Sequence, residues 1–234
     1  VGGAANPEWY RQMVEDRMPE LRRDPNARVS LEDGLRWHRD LLQRKDPEYA
    51  KEIDSFVDKM PNLANLDANT ETIVPILVGA SFEYDNIYRT LSLYDQMPLS
   101  WKQKTQIILN VNWVDSKEND PAEKAKIDKT RSEVARAIKD FPTLQISEFE
   151  NIWSQEKLDR GGYGDRLIAH PAQQLVDVAM AATLRAVEAG RIASDHDILM
   201  WKGDADAQGM NRFAGPNMTK AFKNNPEADA FSGG

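Results

Sequence analysis

The sequence contains no cysteine, which excludes disulfide bonds and thiolate metal sites and leaves the redox compartment unreadable. It also lacks an apolar stretch near the roughly 20 residues that cross a bilayer, and a basic segment followed by an apolar one that would direct export. We therefore expect a cytoplasmic protein without a membrane span. Because the chain begins at Val1 and stops where a further strand is predicted to begin, we also expect a fragment or a processed chain.

Positive charge is scarce relative to negative charge. The 30 Lys and Arg residues stand against 38 Asp and Glu residues, which gives a formal net charge of −8. This balance disfavours a nucleic-acid groove or an anionic membrane surface as the main partner. The 234 residues, of which 41% are hydrophobic, are enough to bury a core and are typical of a globular protein.

The first sixty residues have the pattern of charged helices. Asp46-Pro47 is a typical helix start, because the aspartate can cap the first turn and proline fits the first helical position. The apolar residues that follow lie on one helical face: Tyr49, Ile53, Phe56, Val57 and Met60. Residues 61–72 lack apolar periodicity and are predicted to be a linker. We predict a helical extension, residues 1–62, that docks on a main domain, residues 70–234.

The main domain alternates predicted strands with predicted helices. Strands are predicted at 73–78, 106–111, 143–149 and 197–202, with a fifth beginning in the C-terminal "ADAFSGG". Helices are predicted at 85–97, at 121–141, at 171–189 with Gly190 as the C-terminal cap, and from Pro216 onward. This alternation predicts an α/β fold with a mostly parallel, Rossmann-like sheet and helices on both faces.

Two acidic pairs with the same spacing flank the predicted fourth strand. Asp195 and Asp197 lie at its amino end, whereas Asp204 and Asp206 lie at its carboxyl end. Ligands of open parallel sheets bind beyond the carboxyl ends of the strands, so we predict a functional role for the second pair. Its carboxylates suit Mg²⁺ or Mn²⁺, which share themselves with substrate phosphates. The alternative is that the second pair only caps the following turn.

Four segments carry an ordered set of motifs: "TIVPILVGASFEYDNIYRTLSLYDQM", "QIILNVNWVDS", "YGDRLIAHPAQQLVDVAMAATLRAVEAG" and "DILMWKGDADAQGMNRFAGPNMTKAFKNNPEADAFSGG". In their order and spacing they resemble the nucleotide-sugar-binding half of GT-A fold glycosyltransferases, in the manner of the large inverting family 2. The resemblance runs from about residue 70 to the end. The second segment departs from the family, because Asn110 and Asn112 stand where an acidic pair is usual.

The resemblance implies a nucleotide-diphosphate-sugar donor and an unknown acceptor hydroxyl, which is a saccharide or a small molecule. It implies Asp206 as a ligand of Mn²⁺ or Mg²⁺, and Asp204 as a contact of the ribose or the metal. The other donor-binding residues that it implies are Val78, Gly79, Glu83, Asn110, Asn112, Arg166 and Asp177. An amide both donates and accepts, so either asparagine could replace the acidic group that reads the base. A guanidinium at Arg166 matches diphosphate oxygens, while a surface position for Arg166 and a purely structural role for Asp177 remain alternatives.

The catalytic base is not found. In inverting family members a carboxylate beyond the present C-terminus takes the acceptor proton. The three histidines are predicted to be structural: His38 belongs to the helical region, His170 begins a helix, and His196 lies at the opposite edge of the sheet.

Two other functions compete with the glycosyltransferase. A phosphotransferase of the haloacid dehalogenase type also places an Asp-x-Asp motif after an apolar strand, but there the motif opens the domain. A non-catalytic domain that keeps the nucleotide-sugar fold for binding or assembly would explain the missing acidic pair on the second strand.

Overall fold

The protein is described from a computed structural model, which covers residues 30–64, 66–154, 156 and 169–225. Its strands are β1 (Thr72–Gly79), β2 (Thr105–Val114), β3 (Gln145–Trp153), β4 (Leu199–Met200) and β5 (Gly203–Asp204). Its helices are α1 (Leu31–Lys45), α2 (Pro47–Asp58), α3 (Pro61–Ala64), α4 (Ile87–Asp95), α5 (Leu99–Lys102), α6 (Pro121–Asp140), α7 (Ala169–Glu188) and α8 (Ala214–Asn224), with a 3₁₀ helix at Asp115–Asn119.

The sheet is parallel, with the strand order β3-β2-β1-β4 and with β5 also paired to β1. Strands β1 and β2 pair in register from Thr72 opposite Thr105 to Gly79 opposite Asn112. Helices cover both faces of the sheet. The predicted α/β fold with a Rossmann-like parallel sheet is therefore confirmed.

Two details of the prediction are wrong. The single strand predicted at 197–202 is instead two short ladders on β1, because Trp201 and Lys202 interrupt the pairing between Met200 and Gly203. The predicted linker at 61–72 contains the short helix α3, which starts at a proline and buries Leu63 completely. The predicted fifth strand and the "NPEADA" turn extend beyond the described residues.

The helix boundaries follow local chemistry. Asp46 accepts a 2.9 Å hydrogen bond from the backbone N–H of Tyr49, as the predicted cap of α2 requires. Asp120 caps α6 in the same way, accepting from Ala122 N at 2.8 Å. Gly190 ends α7 with a φ of 69°, a left-handed conformation that a residue without a Cβ adopts at little cost.

Two hydrophobic clusters hold the layers together. On one face, α4 and α6 pack on alternate residues of β1 and β2, which include Val74, Ile76, Leu109 and Val111. On the other face, α1, α2 and α7 pack on Ile73, Ile108 and Phe149. The helices of the N-terminal region therefore share one apolar cluster with the sheet. Each fully buried aliphatic side chain in it contributes about 1.5–3 kcal/mol to the free energy of folding.

A first prediction concerns the packing of α8 against α5 and the residues that precede it. A Cβ added at Gly215 would lie 2.5 Å from Cζ2 of Trp101 and 2.8 Å from Sδ of Met97. We expect Gly215→Ala to lower the free energy of unfolding by about 1–2 kcal/mol, because overpacking outweighs the gain in helix propensity. Urea denaturation measures this loss. Gly209→Ala is the control, since no atom lies within 4 Å of its added Cβ; equal effects of the two variants would contradict the packing explanation.

Candidate functional site

The strand order reverses at β1. From β1 the chain passes to β2 and then β3 on one side, whereas β4 and β5 pair with β1 on its other side. Such a reversal opens a crevice beyond the carboxyl ends of the central strands, where ligands of doubly wound sheets bind. In this sheet the rule locates the expected crevice between the residues that follow β1 and those that follow β5. We call it the switch-point crevice.

The Asp-x-Asp motif lies at this crevice with both side chains outward. Gly203 and Ala205 are buried, whereas Asp204 and Asp206 are exposed. The carbonyl of Ala205 accepts a 2.8 Å hydrogen bond from Oγ1 of Thr90 in α4, which fixes the turn between the two aspartates. Both carboxylates therefore face solvent from a turn that is anchored to the core.

The close packing of Gly203 explains how this turn is held. A Cβ at position 203 would lie 2.6 Å from the hydroxyl oxygen of Tyr94 and 2.8 Å from Cγ1 of Ile76. Only glycine lets the backbone of β5 approach the core this closely. Burial raises the pKa of Tyr94, and the negative charge of Asp204 raises it further.

Glu83 places a third carboxyl group at the crevice, in the loop after β1. Burial raises the pKa of this half-buried side chain most, a 3.3 Å hydrogen bond from Asn86 Nδ2 opposes that rise, and the negative charge of Asp206 adds to it. The residues after β1 and β5 thus place like charges near each other. A cation between them would relieve the repulsion.

The residues of the crevice fit a divalent cation that a ligand helps to hold. Within the described ranges, no group of three or more His, Asp or Glu side chains could hold a metal ion by itself. Mg²⁺ does not require such a cage, because it keeps several waters and takes one or two carboxylates together with substrate phosphates. Asp204 and Asp206 supply that smaller number of ligands.

Val78 and Gly79, predicted to hold the nucleoside, lie at the carboxyl end of β1 beside the crevice. The carbonyl of Val78 accepts a hydrogen bond from Asn112 Nδ2 at 3.0 Å. The carbonyl of Gly79 accepts from the N–H groups of Phe82 and Glu83 at 2.8 and 2.9 Å. These carbonyls shape the loop that carries Phe82 and Glu83.

The structure places Asn110 and Asn112 inside the protein. Asn110 is fully buried, and its Nδ2 donates to the carbonyl of Pro171 and to Oε1 of Gln174 at 3.2 and 3.1 Å. Asn112 is 7% exposed and clamps β2 to β1 through Val78. Both amide donors therefore serve the packing of β1, β2 and α7, although Asn112 pairs in register with Gly79 at the edge of the crevice.

Asp177 lies away from the crevice, between α7 and the N-terminal helices. It is 1% exposed and accepts hydrogen bonds from the Tyr49 hydroxyl at 2.7 Å and from Gln173 Nε2 at 2.8 Å, with His38 Nε2 at 2.9 Å. This contact anchors α1 and α2 on α7. Arg166 lies outside the described residues, so its predicted contact with diphosphate stays a prediction.

The histidines with described side chains have structural contacts. His38 pairs with Asp177, and Nε2 of His196 lies 2.8 Å from the carbonyl of Thr70. The side chain of His170 is not among those that the structure describes. Two residues near the crevice, Thr90 and Phe82, are not among the predicted site residues. The sequence gives no signal for Thr90, whereas the position of Phe82 next to Glu83 could have indicated a place near the ligand.

A separate cavity of about 270 Å³ lies between α1, α2 and α7. Leu35, Ile53 and Leu184 form part of its wall. The guanidinium groups at its rim are paired, Arg39 with Glu188 at 2.9 Å and Arg185 with Asp54 at 2.8 Å. It therefore offers no concentration of free charge comparable to the crevice.

No model of a known protein family matches the chain, and searches of curated proteins and of solved structures also find no match. In the part of the chain that the structure describes, no helix combines the length and apolarity needed to cross a membrane. The geometry of the switch-point crevice is therefore the main guide to function.

A second prediction follows from the buried contacts of Asp177. Asp177→Ala removes a buried carboxylate on which the buried His38 and the partly buried Tyr49 both converge, so we expect a loss of about 3 kcal/mol in the free energy of unfolding. Urea denaturation measures it. The control is Asp54→Ala, which removes a half-exposed partner of Arg185 and should cost less than about 1 kcal/mol. A variant at position 177 with unchanged stability would show that this carboxylate is not an anchor.

A third prediction uses the raised pKa of Glu83. A folded-state pKa above the unfolded value means that the native state is destabilised as pH rises through that pKa, since the charged form is then disfavoured. We expect Glu83→Gln to raise the melting temperature by about 1–3 °C at pH 7.5, and to lose this advantage near pH 4, where the carboxyl is protonated. Glu48→Gln, at an exposed position, is the control. A gain that is equal at both pH values would refute the electrostatic cause.

Proposed function

We propose that this chain is the donor-binding part of a metal-dependent glycosyltransferase that uses a nucleotide-diphosphate-sugar. The observation that carries the proposal is the position of Asp204 and Asp206. They flank a buried alanine, point to solvent, and lie at the point where the strand order reverses. The other acidic pair of the same spacing, Asp195 and Asp197, serves as the comparison. It is also exposed but precedes β4 at the opposite edge of the sheet.

The charged groups that we place at the crevice are carboxyl groups, which suits a donor that binds together with a cation. Its described carboxyl groups, at Glu83, Asp204 and Asp206, would repel a diphosphate unless a cation lies between them. We infer that Asp206 and Asp204 hold Mn²⁺ or Mg²⁺ together with the donor. When bound, such an ion neutralises the negative charge of a departing diphosphate.

The residues after β1 hold the other side of the donor in this proposal. Glu83 is fixed by the turn at Gly79 and by Asn86, so its carboxylate can accept hydrogen bonds from ribose or sugar hydroxyl groups. The half-buried position of Glu83 makes such a bond stronger than one made in bulk water. The transfer itself needs a base on the acceptor hydroxyl, and we assign none.

A second candidate function is a non-catalytic domain that binds through the same fold. The observation that favours it is the burial of Asn110 and Asn112, whose amide donors are spent on internal contacts. An enzyme that reads the base at this position would need those groups turned toward the ligand. A domain that serves in assembly has no such need.

A fourth prediction separates these candidates. We expect UDP or GDP, or a sugar conjugate of one of them, to raise the melting temperature of the full chain in the presence of Mn²⁺. No such rise is expected in EDTA. The reason is that a ligand which binds only the native state stabilises it by mass action. Calorimetric titration then gives the dissociation constant. Asp206→Asn should weaken metal-dependent binding by about tenfold or more.

The matched control is Asp197→Asn, which removes an exposed aspartate of the same spacing at the opposite edge of the sheet. It should leave binding unchanged. Binding that neither Mn²⁺ nor Asp206 affects would contradict the metal site. A flat titration with every nucleotide and nucleotide-sugar would favour the non-catalytic domain.

A further inference from the structure

Phe82 is an exposed aromatic ring at the lip of the switch-point crevice. It is 68% exposed, more than any other large apolar side chain in the described ranges. It immediately precedes Glu83 in the loop after β1, and β5 pairs beside the end of β1, with Asp204 opposite Leu77, so the turn that carries Asp206 follows at the same edge of the sheet. Single apolar residues on a surface are common, so exposure alone assigns no role to this ring.

Backbone hydrogen bonds fix the position of Phe82 at the end of β1. The N–H groups of Phe82 and Glu83 both donate to the carbonyl of Gly79, at 2.8 and 2.9 Å. A Cβ added at Gly79 would lie 3.1 Å from Cδ2 of Phe82, so the missing side chain at position 79 leaves space that the ring uses. One part of the ring thus rests on the end of β1 while the rest faces solvent.

Phe213 shows the contrasting case. It is also exposed, at 44%, but it lies at the start of α8 and its ring is covered by the guanidinium of Arg212, with Cζ 4.7 Å from the ring centroid. Phe82 therefore differs from this second exposed phenylalanine in two respects: no cation–π contact of a described residue covers its ring, and it lies in the loop after β1 that also carries Glu83.

The chemistry around Phe82 selects the kind of ligand. The face of an aromatic ring carries partial negative charge and attracts C–H groups that carry partial positive charge. One face of a pyranose ring presents such C–H groups, while its hydroxyl groups donate hydrogen bonds outward. Ionised Glu83 and Asp206 only accept hydrogen bonds, which suits hydroxyl groups. A nucleobase has fewer donors of this kind, at N3 of uracil or at N1 and the amino group of guanine, so the test has to separate a stacked sugar from a stacked base.

We propose that Phe82 is the stacking platform for a pyranose ring at the switch-point crevice, with the carboxylates of Glu83 and Asp206 accepting hydrogen bonds from the hydroxyl groups of that sugar. This inference rests on the proposed function, because it takes the crevice as the place of sugar transfer. The pyranose belongs either to the donor or to the acceptor. The two sources share this chemistry, and binding measurements distinguish them.

The test uses the full chain with Phe82→Ala, with Phe82→Trp, which keeps an aromatic face, and with Phe213→Ala as the matched control. Calorimetry with Mn²⁺ compares UDP and GDP with UDP-glucose and GDP-mannose. Saturation-transfer NMR with Mg²⁺, which is diamagnetic, measures binding of methyl glucoside and methyl mannoside. Since Phe82 is largely exposed, its variants should keep the melting temperature of the parent chain.

We expect Phe82→Ala to weaken binding of the sugar-bearing ligand about tenfold and of the free nucleotides less than about twofold. Phe82→Trp and Phe213→Ala should bind as the parent chain does. A loss seen with the nucleotide-sugars identifies the donor sugar as the stacked ring. A loss confined to the methyl glycosides identifies the acceptor.

Four results decide between this inference and the proposed function. An equal loss for UDP or GDP and their sugar conjugates overturns the inference, since the ring then stacks on the base. Unchanged sugar binding in Phe82→Ala overturns it while intact Mn²⁺-dependent nucleotide binding preserves the proposed function. Phe82-dependent binding of a methyl glycoside without any nucleotide binding supports the inference and refutes the proposed function. Binding of neither class overturns both.

Discussion

The approach of β5 to the core determines the geometry of the crevice. Gly203 lies against the Tyr94 hydroxyl and the side chains of Ile76 and Val74, where any Cβ would collide. Pairing with β1 then fixes Gly203 inward, so that alternation along the chain turns Asp204 outward. The Thr90 hydrogen bond to Ala205 continues this order around the turn. Without these contacts the two aspartates would have no defined relation to the residues that follow β1.

Much of the remaining polar chemistry stabilises the interfaces between layers. Asn112 bridges β1 and β2, Asn110 joins β2 to α7, and Asp177 joins α7 to α1 and α2. A buried polar group is costly unless it is hydrogen-bonded, so the amide donors of the two asparagines and the carboxylate of Asp177 are committed to their partners, whereas Oδ1 of Asn110 is buried without one among the described residues. Positions that resemble ligand-binding sites in sequence can therefore have a structural role, and the exposed carboxylates are what remains for a ligand.

The sequence predicted the fold class because its alternation of apolar strands and amphipathic helices is strong on its own. It also predicted the capped starts of α2 and the exposed position of the Asp-x-Asp pair. It could not predict that Trp201 and Lys202 break the fourth strand, since that break depends on tertiary packing around Gly203. Nor could it predict the burial of Asn110 or Asp177, because the partners of these side chains, Gln173 excepted, are remote in sequence.

The carboxyl group of Glu83 is a local cost to stability. Burial and the negative charge of Asp206 raise the pKa of this half-buried side chain, because the charged form is disfavoured there. Glu71, just before the amino end of β1, shows the usual alternative: burial acts to raise its pKa, but hydrogen bonds from Lys104 and Lys223 outweigh this and lower it. Among the residues that the structure describes, the amide of Asn86 is the one hydrogen-bond donor to the Glu83 carboxyl group. A ligand that brings a cation and hydroxyl groups would supply the positive charge and the hydrogen-bond donors that the described residues do not provide to Glu83.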